Sequence, residues 1–186
     1  MSALGSAMFD TAIGVCGIVW GERGVAGVYL PERSERETRA RLGRRFPTAV
    51  ETAPPPVIVA AIEAIASLLA GHRTDLDHVG LDLGGVPAFD AHVYAAARAI
   101  RPGTTLTYGA VAERIGAPGA AREVGEALGR NPFPLVVPCH RVVASGGKLG
   151  GFSAHGGVVT KRRLLEIERA RSTTGPDLFD LPAGPS

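Results

Sequence analysis

The sequence predicts an α/β (α+β) protein in which a small unit of sheet and helix precedes a mostly helical unit. Residues 1–86 alternate runs rich in Val and Ile with helical stretches, whereas helical spacing of apolar residues dominates residues 87–172. A chain of 186 residues is long enough for two such units to share one core. The tail, residues 173–186, is interrupted by proline and glycine, and we expect it to be flexible.

The elements of the first unit follow from local patterns. Alternating apolar residues on both sides of a turn at 21–24 predict a β-hairpin over residues 9–30. Closely spaced opposite charges predict a solvent-facing helix over 32–45. After three consecutive prolines, apolar residues at helical spacing predict a buried helix over 57–70, and the apolar run 76–83 predicts one more strand.

Four helices are predicted in the second unit, over residues 89–100, 107–115, 120–128 and 160–170. The second and third are short and are separated by a tight turn at 117–119, so they form a helix-turn-helix. That arrangement is found in DNA-binding proteins. The same geometry is common in protein cores, and alone it does not decide for DNA binding.

The charge of the chain is unevenly distributed. Residues 101–170 hold ten Lys and Arg against five Asp and Glu, whereas residues 1–100 hold nine against eleven. A basic second half is suited to an anionic partner, nucleic acid included. No apolar run approaches the roughly 18–20 residues of a membrane span, and no secretory signal precedes the first strand. We therefore expect a cytoplasmic protein.

The two cysteines, Cys16 and Cys139, lie in unlike contexts. Neither has Cys or His neighbours at the spacing of a zinc site, and a reducing compartment disfavours a disulfide, so we expect no metal. Cys139 is followed by His140 and Arg141, two potential cations that would favour a reactive thiolate. A buried structural cysteine is the alternative, because sequence neighbours need not face each other. This feature alone leaves both open.

The wider pattern resembles the O6-alkylguanine-DNA alkyltransferase family. The matching segments are Asn131-Pro132, Pro138-Cys139-His140-Arg141-Val142-Val143, Gly150-Gly151-Phe152-Ser153, Lys161 with Leu164-Leu165 and Glu168, and, in the helix-turn-helix, Thr107-Tyr108-Gly109, Gly116-Ala117-Pro118, Ala120-Ala121-Arg122 and Val124-Gly125. The detailed resemblance covers residues 89–170, and over 9–85 only the general layout matches. It implies a ribonuclease H-like first unit and a winged-helix-like DNA-binding second unit.

The resemblance implies DNA repair by direct, irreversible and stoichiometric alkyl transfer from O6-alkylguanine, with O4-alkylthymine as a further substrate, and without a cofactor. Cys139 would be the alkyl acceptor. His140 would be its general base through a water molecule, and Glu168 would orient the imidazole. We prefer Glu168 to Glu166, whose alternative role is an exposed helix charge. Asn131 would be a hinge that bonds the backbone near the cysteine.

The resemblance also implies double-stranded DNA as the partner of a monomer, bound in the minor groove with little sequence preference. The damaged base must leave the stack to be reached. Arg122 would fill the vacated space. Tyr108 would crowd the 3′ phosphate and protonate the departing guanine. Small residues suit close approach to the groove wall, and they are Ala120, Ala121 and Gly125.

The implied substrate pocket departs from the family pattern. Its residues are Pro134, Val142, Val143, Phe152 and Ser153. Many relatives have tyrosine where this chain has Phe152, so one hydroxyl is lost. The link from Phe152 to Lys161 is about two residues longer than in relatives, which leaves the range of accepted alkyl groups open.

Two other functions compete with alkyl transfer. A non-catalytic, alkyltransferase-like sensor of lesions would lack the acceptor cysteine, often with tryptophan in its place, but this chain retains Cys139. A cysteine-dependent hydrolase or redox sensor would not explain Tyr108, Arg122 and Asn131 at the family's spacing. Alkyl transfer is therefore the preferred hypothesis.

Overall fold

The computed structural model describes residues 4–169 and 171–172, and the tail 173–186 that we expected to be flexible lies outside the described residues. The α/β class is confirmed, with a sheet-and-helix unit followed by a mainly helical one. The first unit contains β1 (Gly5–Thr11), β2 (Gly14–Gly21), β3 (Gly24–Tyr29), α1 (Glu35–Arg45), β4 (Val50–Glu51) and α2 (Pro56–Leu69).

The N-terminal sheet has the strand order β3-β2-β1-β4. The pairs β1/β2 and β2/β3 are antiparallel, whereas β4 is parallel to β1. The predicted hairpin over 9–30 is therefore wrong in extent, because a second turn divides it. At that turn the Thr11 hydroxyl donates to the Gly14 carbonyl at 2.6 Å, and Gly14 has a φ of 127° that suits glycine. β1 was missed because its first residues, Gly-Ser-Ala-Met, carry no β-branched side chain.

The two predicted helices of this unit are confirmed. α1 begins after Ser34, whose hydroxyl accepts from the Glu37 amide, and it packs on β2 through Leu42. α2 begins at Pro56, where proline costs no helical hydrogen bond, and it buries Ile58, Ile65 and Leu68. The charged outer face of α1 and the apolar face of α2 are what the sequence pattern required.

The predicted strand over 76–83 is wrong. Only Leu81 makes a β-bridge, to Val25, and the remainder is irregular. Its carbonyls are bound by a side chain instead: the Arg98 guanidinium donates to the carbonyls of Leu76, Asp77 and Val79 at 2.9–3.2 Å. Leu76 and Val79 of this run still enter the core, whereas Leu83 is exposed, and these buried residues explain the pattern that suggested a strand.

The second unit contains α3 (Ala88–Arg98), β5 (Thr104–Thr107), α4 (Tyr108–Arg114), α5 (Ala121–Gly129), one turn of 3₁₀ helix (Cys139–Arg141), β6 (Val142–Val143), α6 (Val158–Ile167) and β7 (Arg171–Ser172). α3, α4 and α5 pack together, and α4 and α5 form the predicted helix-turn-helix. A small parallel sheet in the order β6-β5-β7 was not predicted. α6 ends at Ile167, so Glu168 caps this helix instead of lying within it.

The two units share one continuous cluster of buried apolar residues. Backbone hydrogen bonds also join them, since the Val28 amide on β3 donates to the Pro132 carbonyl at 2.9 Å. The division at residue 86 stays a prediction. No helix of the described part of the chain is long and apolar enough to cross a membrane.

We expect Arg98→Met to lower the free energy of unfolding by about 1–3 kcal/mol, because three loop carbonyls lose their charged donor. Urea denaturation measures this. Arg36→Met, which removes an exposed arginine from α1, is the matched control and should change stability by less than about 0.5 kcal/mol. Equal effects of the two substitutions would show that Arg98 does not hold the loop.

Candidate active site around Cys139

The chain between α5 and Cys139 is held in a tight loop by Asn131. Its side-chain amide donates to the Val137 carbonyl and its side-chain oxygen accepts from the Phe133 amide, both at 2.9 Å. Within the loop, buried Leu135 has a φ of 74°, a left-handed conformation that is strained for leucine. The hydrogen bonds that we expected of Asn131 are present, and they deliver Cys139 to the start of the 3₁₀ turn.

Cys139 is buried, and its thiol is held protonated at neutral pH. Burial raises the pKa of this thiol, whereas a hydrogen bond with the Asn131 side chain and the positive charge of Lys161 lower it in part. Burial disfavours the charged thiolate in the same way that it disfavours any uncompensated ion. A nucleophilic role for Cys139 therefore requires a nearby base and a nearby cation.

His140, which follows Cys139 in the chain, is the candidate base. Its side chain is buried, and Nε2 lies 2.8 Å from Glu168 Oε1. Burial lowers the pKa of His140 in spite of the opposing effect of Glu168, so the imidazole is neutral at pH 7. Because Glu168 is ionised, Nε2 carries the proton and donates it to the carboxylate. Nδ1 is then an acceptor, and it has no partner among the described residues.

Glu168 also binds Arg141. Arg141 donates to both carboxylate oxygens at 2.8–2.9 Å, and its third nitrogen donates to the Ile100 carbonyl at 2.7 Å. Burial alone would raise the pKa of Glu168, but His140 and Arg141 outweigh it and lower that pKa to about 2. The exposed Glu166, the alternative that we considered, is not part of this network. The structure thus brings His140 and Glu168 together as expected.

Lys161 is a site residue to which the sequence analysis gave no role, although it named Lys161 as part of the family pattern. Its fully buried ammonium donates to the carbonyls of Val142 and Gly151 at 2.6 and 3.1 Å, and to the Tyr108 hydroxyl at 3.4 Å. Burial lowers the pKa of Lys161 to about 8, opposed by Cys139. A signal was available, because Lys161 shares the spacing of buried Leu164 and Leu165 on the inner face of α6.

Tyr108 lies at the first position of α4, next to the Thr107 cap. Its ring faces the Lys161 ammonium at 5.5 Å and is half-buried. Gly150 passes close to this ring with a φ of 74°, and a β-carbon there would lie 2.9 Å from a ring carbon. Gly150 therefore allows the loop that follows β6 to lie against Tyr108.

Cys139 opens into a cavity of about 460 Å³ on the helix-turn-helix side. Tyr108, Ala121, Gly125, Phe152 and Ser153 line it together with Cys139, so six of the predicted site residues share one space. Arg122 and Ala120 are not on its wall. The Arg122 side chain is 88% exposed, and Glu126 at 3.2 Å is its only ion-pair partner among the described residues, so it is able to contact a partner outside the protein.

The predicted pocket residues divide into two groups. Pro134, Phe152 and Ser153 line cavities that Cys139 also lines. Val142 and Val143 are buried where β6 pairs with β5, and neither lines the two cavities described beside Cys139, so their place in the substrate pocket stays a prediction. Within residues 4–169, no cluster of three or more His, Cys, Asp and Glu is arranged to hold a metal ion.

Comparisons with known proteins agree on one family. Residues 88–170 match the family model described as 6-O-methylguanine DNA methyltransferase, DNA binding domain. The methylated-DNA–protein-cysteine methyltransferase of Methanothermobacter thermautotrophicus is 40% identical over 152 residues, which is 82% of this chain and 78% of that protein. The protein of the same name from Mycobacterium bovis is 44% identical over 129 residues, 69% of this chain and 76% of that one.

Solved structures agree with the sequence comparisons. Mycobacterium tuberculosis OGT, crystallised in complex with DNA, has 35% identity and a TM-score of 0.70, covering 89% of this chain and 92% of that one. The O6-methylguanine-DNA methyltransferase of Pyrococcus kodakaraensis has 29% identity and a TM-score of 0.65, covering 89% and 98%. The likeness therefore extends over both units of the fold.

We expect Glu168→Gln to lower the free energy of unfolding at pH 7 by roughly 2–4 kcal/mol, because Arg141 is left buried without its counter-charge. The pKa of Glu168 is depressed to about 2 in the folded protein, so its contribution is complete above its ordinary value of 4.5 and declines as the pH falls from there towards 2. The difference between wild type and variant should shrink over that window in urea denaturation.

The control is Glu166→Gln, which removes an exposed charge two residues earlier on α6. This control should cost less than about 0.5 kcal/mol. A difference between wild type and Glu168→Gln that stays constant from pH 7 to pH 3 would contradict the ion pair.

Proposed function

Because the chain belongs to the family of methylated-DNA–protein-cysteine methyltransferases, we propose that it repairs DNA by transferring the alkyl group of an O6-alkylguanine irreversibly to its own Cys139. The observation that carries this proposal is the buried thiol of Cys139 next to a neutral His140, whose ring is fixed by Glu168 at 2.8 Å. A nucleophile, a base and an orienting carboxylate are the parts that an activated cysteine requires.

Activation begins at His140. Its Nδ1 accepts the thiol proton of Cys139 through one water molecule, because no direct hydrogen bond joins the two side chains, and Glu168 stabilises the imidazolium that results. The ammonium of Lys161 stabilises the thiolate, in agreement with its effect on the pKa of Cys139. Both ions arise in a buried setting, where their attraction to fixed charges is stronger than in water.

In the transfer step the sulfur of Cys139 forms a bond to the alkyl carbon, and the bond from that carbon to O6 breaks. The electron pair goes to the guanine, which takes up one proton. Tyr108, with Lys161 hydrogen-bonded to its hydroxyl, is positioned to supply it. A thioether has no easy leaving group, so each protein molecule reacts once and no cofactor enters the balance.

The proposed DNA complex uses the helix-turn-helix. The damaged guanine leaves the duplex and enters the cavity between Tyr108, Gly125 and Cys139, because chemistry on a stacked base is sterically blocked. Arg122 takes the vacated place in the duplex. The small residues Ala120 and Ala121 at the start of α5 allow the minor-groove wall to approach. We propose that a monomer does this in the cytoplasm, associated with the nucleoid when bound to DNA, and with little sequence preference.

The first expected outcome concerns the mass of the protein after reaction. A duplex with one O6-methylguanine should add one methyl group, about 14 Da, to Cys139 and stop at one equivalent. Intact-mass and peptide mass spectrometry measure this. Cys139→Ser should gain nothing, and Cys16→Ser should behave as wild type, because the thiol of Cys16 is buried with its pKa raised to about 12. Tight binding to the lesion without mass gain would instead support a non-catalytic sensor.

The second expected outcome concerns the role of Arg122 in DNA. Arg122→Ala should lower the ratio of transfer rates from a lesion duplex and from free O6-methylguanine base about tenfold or more, because only the duplex must give up a stacked base. Single-turnover kinetics measure both rates. Arg114→Ala, which removes an exposed charge from the last turn of α4, is the control and should change this ratio little. A similar fall of this ratio in both variants would show that Arg122 acts only through general electrostatic attraction to DNA.

A further inference from the structure

Cys139 lines two cavities, and the proposed function uses only one of them. The second cavity, of about 250 Å³, lies between the two units of the fold. Its first wall is formed by the end of β3 and by α1, and its second wall by residues 129–134 and 152–154. Phe152 and Ser153 line both cavities. The second cavity is therefore a space beside the reactive sulfur that the guanine does not need.

The lining of this cavity is apolar and basic. Leu30, Pro134 and Phe152 provide apolar surface, and none of the lining residues is acidic. Three arginines also line it, Arg41, Arg45 and Arg130. A chain with an apolar stem and an anionic end would match both properties.

Arg45 is the arginine that is available to such a ligand. Arg41 pairs with Glu32, and Arg130 makes two hydrogen bonds of 3.0 Å to the buried carboxylate of Asp90. Arg45 packs 5.6 Å above the ring of Phe46 and forms no ion pair with any described residue. It is exposed, lies in the last turn of α1 and lines the cavity.

Two further observations support a formed, positively charged subsite. Burial raises the pKa of the Tyr29 phenol in this cavity, and Arg45 and Arg41 act against that rise, so their charge reaches its interior. The wall made by Ser153 and Ala154 belongs to the lengthened loop. This loop is tied to the first unit by His155, whose Nδ1 lies 3.2 Å from Glu32 Oε2.

We propose that this cavity receives the distal part of O6-alkyl groups longer than methyl, and that Arg45 makes it select chains that end in a carboxylate. The proposal rests on the proposed function, because it concerns the group that Cys139 accepts. A volume of 250 Å³ equals that of about eight water molecules, enough for a four-carbon chain with a terminal carboxylate.

The reaction balances in the same way as methyl transfer. The bond between O6 and the first methylene breaks, and a bond between that methylene and the sulfur of Cys139 forms. As in methyl transfer, His140 takes the thiol proton and Tyr108 gives the guanine one, and proton exchange with water restores both side chains. The terminal carboxylate takes no part in bond making. It lies beside the Arg45 guanidinium, an arrangement that favours the reacting geometry of this chain over that of an uncharged one.

The test compares two duplexes that differ only in the end of the chain. One carries O6-(3-carboxypropyl)guanine and the other O6-(3-carbamoylpropyl)guanine, which has nearly the same shape without the charge. Single-turnover rate constants are measured by intact mass for wild type, Arg45→Gln and Arg44→Gln. Arg44 is the control because it is the preceding, exposed arginine of the same helix turn and does not line the cavity.

We expect wild type and Arg44→Gln to favour the carboxylate by about three- to tenfold, and Arg45→Gln to lose that preference. An unchanged preference in Arg45→Gln overturns the proposal. An equal slowing of transfer from both duplexes in Arg45→Gln also overturns the proposal, because it would mean that Arg45 attracts DNA phosphates. An O6-methylguanine duplex separates the two hypotheses: if methyl transfer occurs but no preference appears, only the subsite fails, whereas absence of methyl transfer refutes the proposed function itself.

Discussion

The buried carboxylate of Glu168 is the interaction on which the site depends. It accepts three hydrogen bonds, one from His140 and two from Arg141, while Arg141 also holds the carbonyl at the end of α3. One carboxylate thus joins the end of α6, the 3₁₀ turn and α3. It also decides which imidazole nitrogen carries the proton. Structural support and chemical activation of Cys139 therefore come from the same group.

The parts of the fold that the sequence predicted are those with a long or repeated local pattern. α1, α2 and the helix-turn-helix follow from apolar spacing, turns and caps. β1 and the small parallel sheet did not, because their short strands carry too few alternating residues and gain their partners only from distant chain segments. The run 76–83 was mistaken for a strand because some of its apolar residues enter the core. It is irregular in the structure, where the Arg98 side chain binds three of its carbonyls.

The part of the site that lies within one contiguous sequence motif, Cys139 and His140, could be predicted from the sequence. His140 and Glu168 are 28 residues apart, and only the family pattern suggested that they meet. Lys161 was part of the family pattern but was given no role, because a lysine followed by two arginines on a helix is usually exposed. Nothing in the local sequence indicates that backbone carbonyls surround its ammonium. Val142 and Val143 follow the reactive turn in sequence, but residues next to such a turn need not face its cavity, and both are buried in β6.

The buried ammonium of Lys161 has no carboxylate partner within the described chain, and the group that can balance its charge is the thiolate of Cys139. A thioether at that position is permanently neutral. After one reaction Cys139 can no longer ionise to balance Lys161, so the core holds either an ammonium without a counter-ion among the described residues or, once a proton is released, a neutral amine. Whether this part of the core can form an ion pair therefore depends on whether the protein has already reacted.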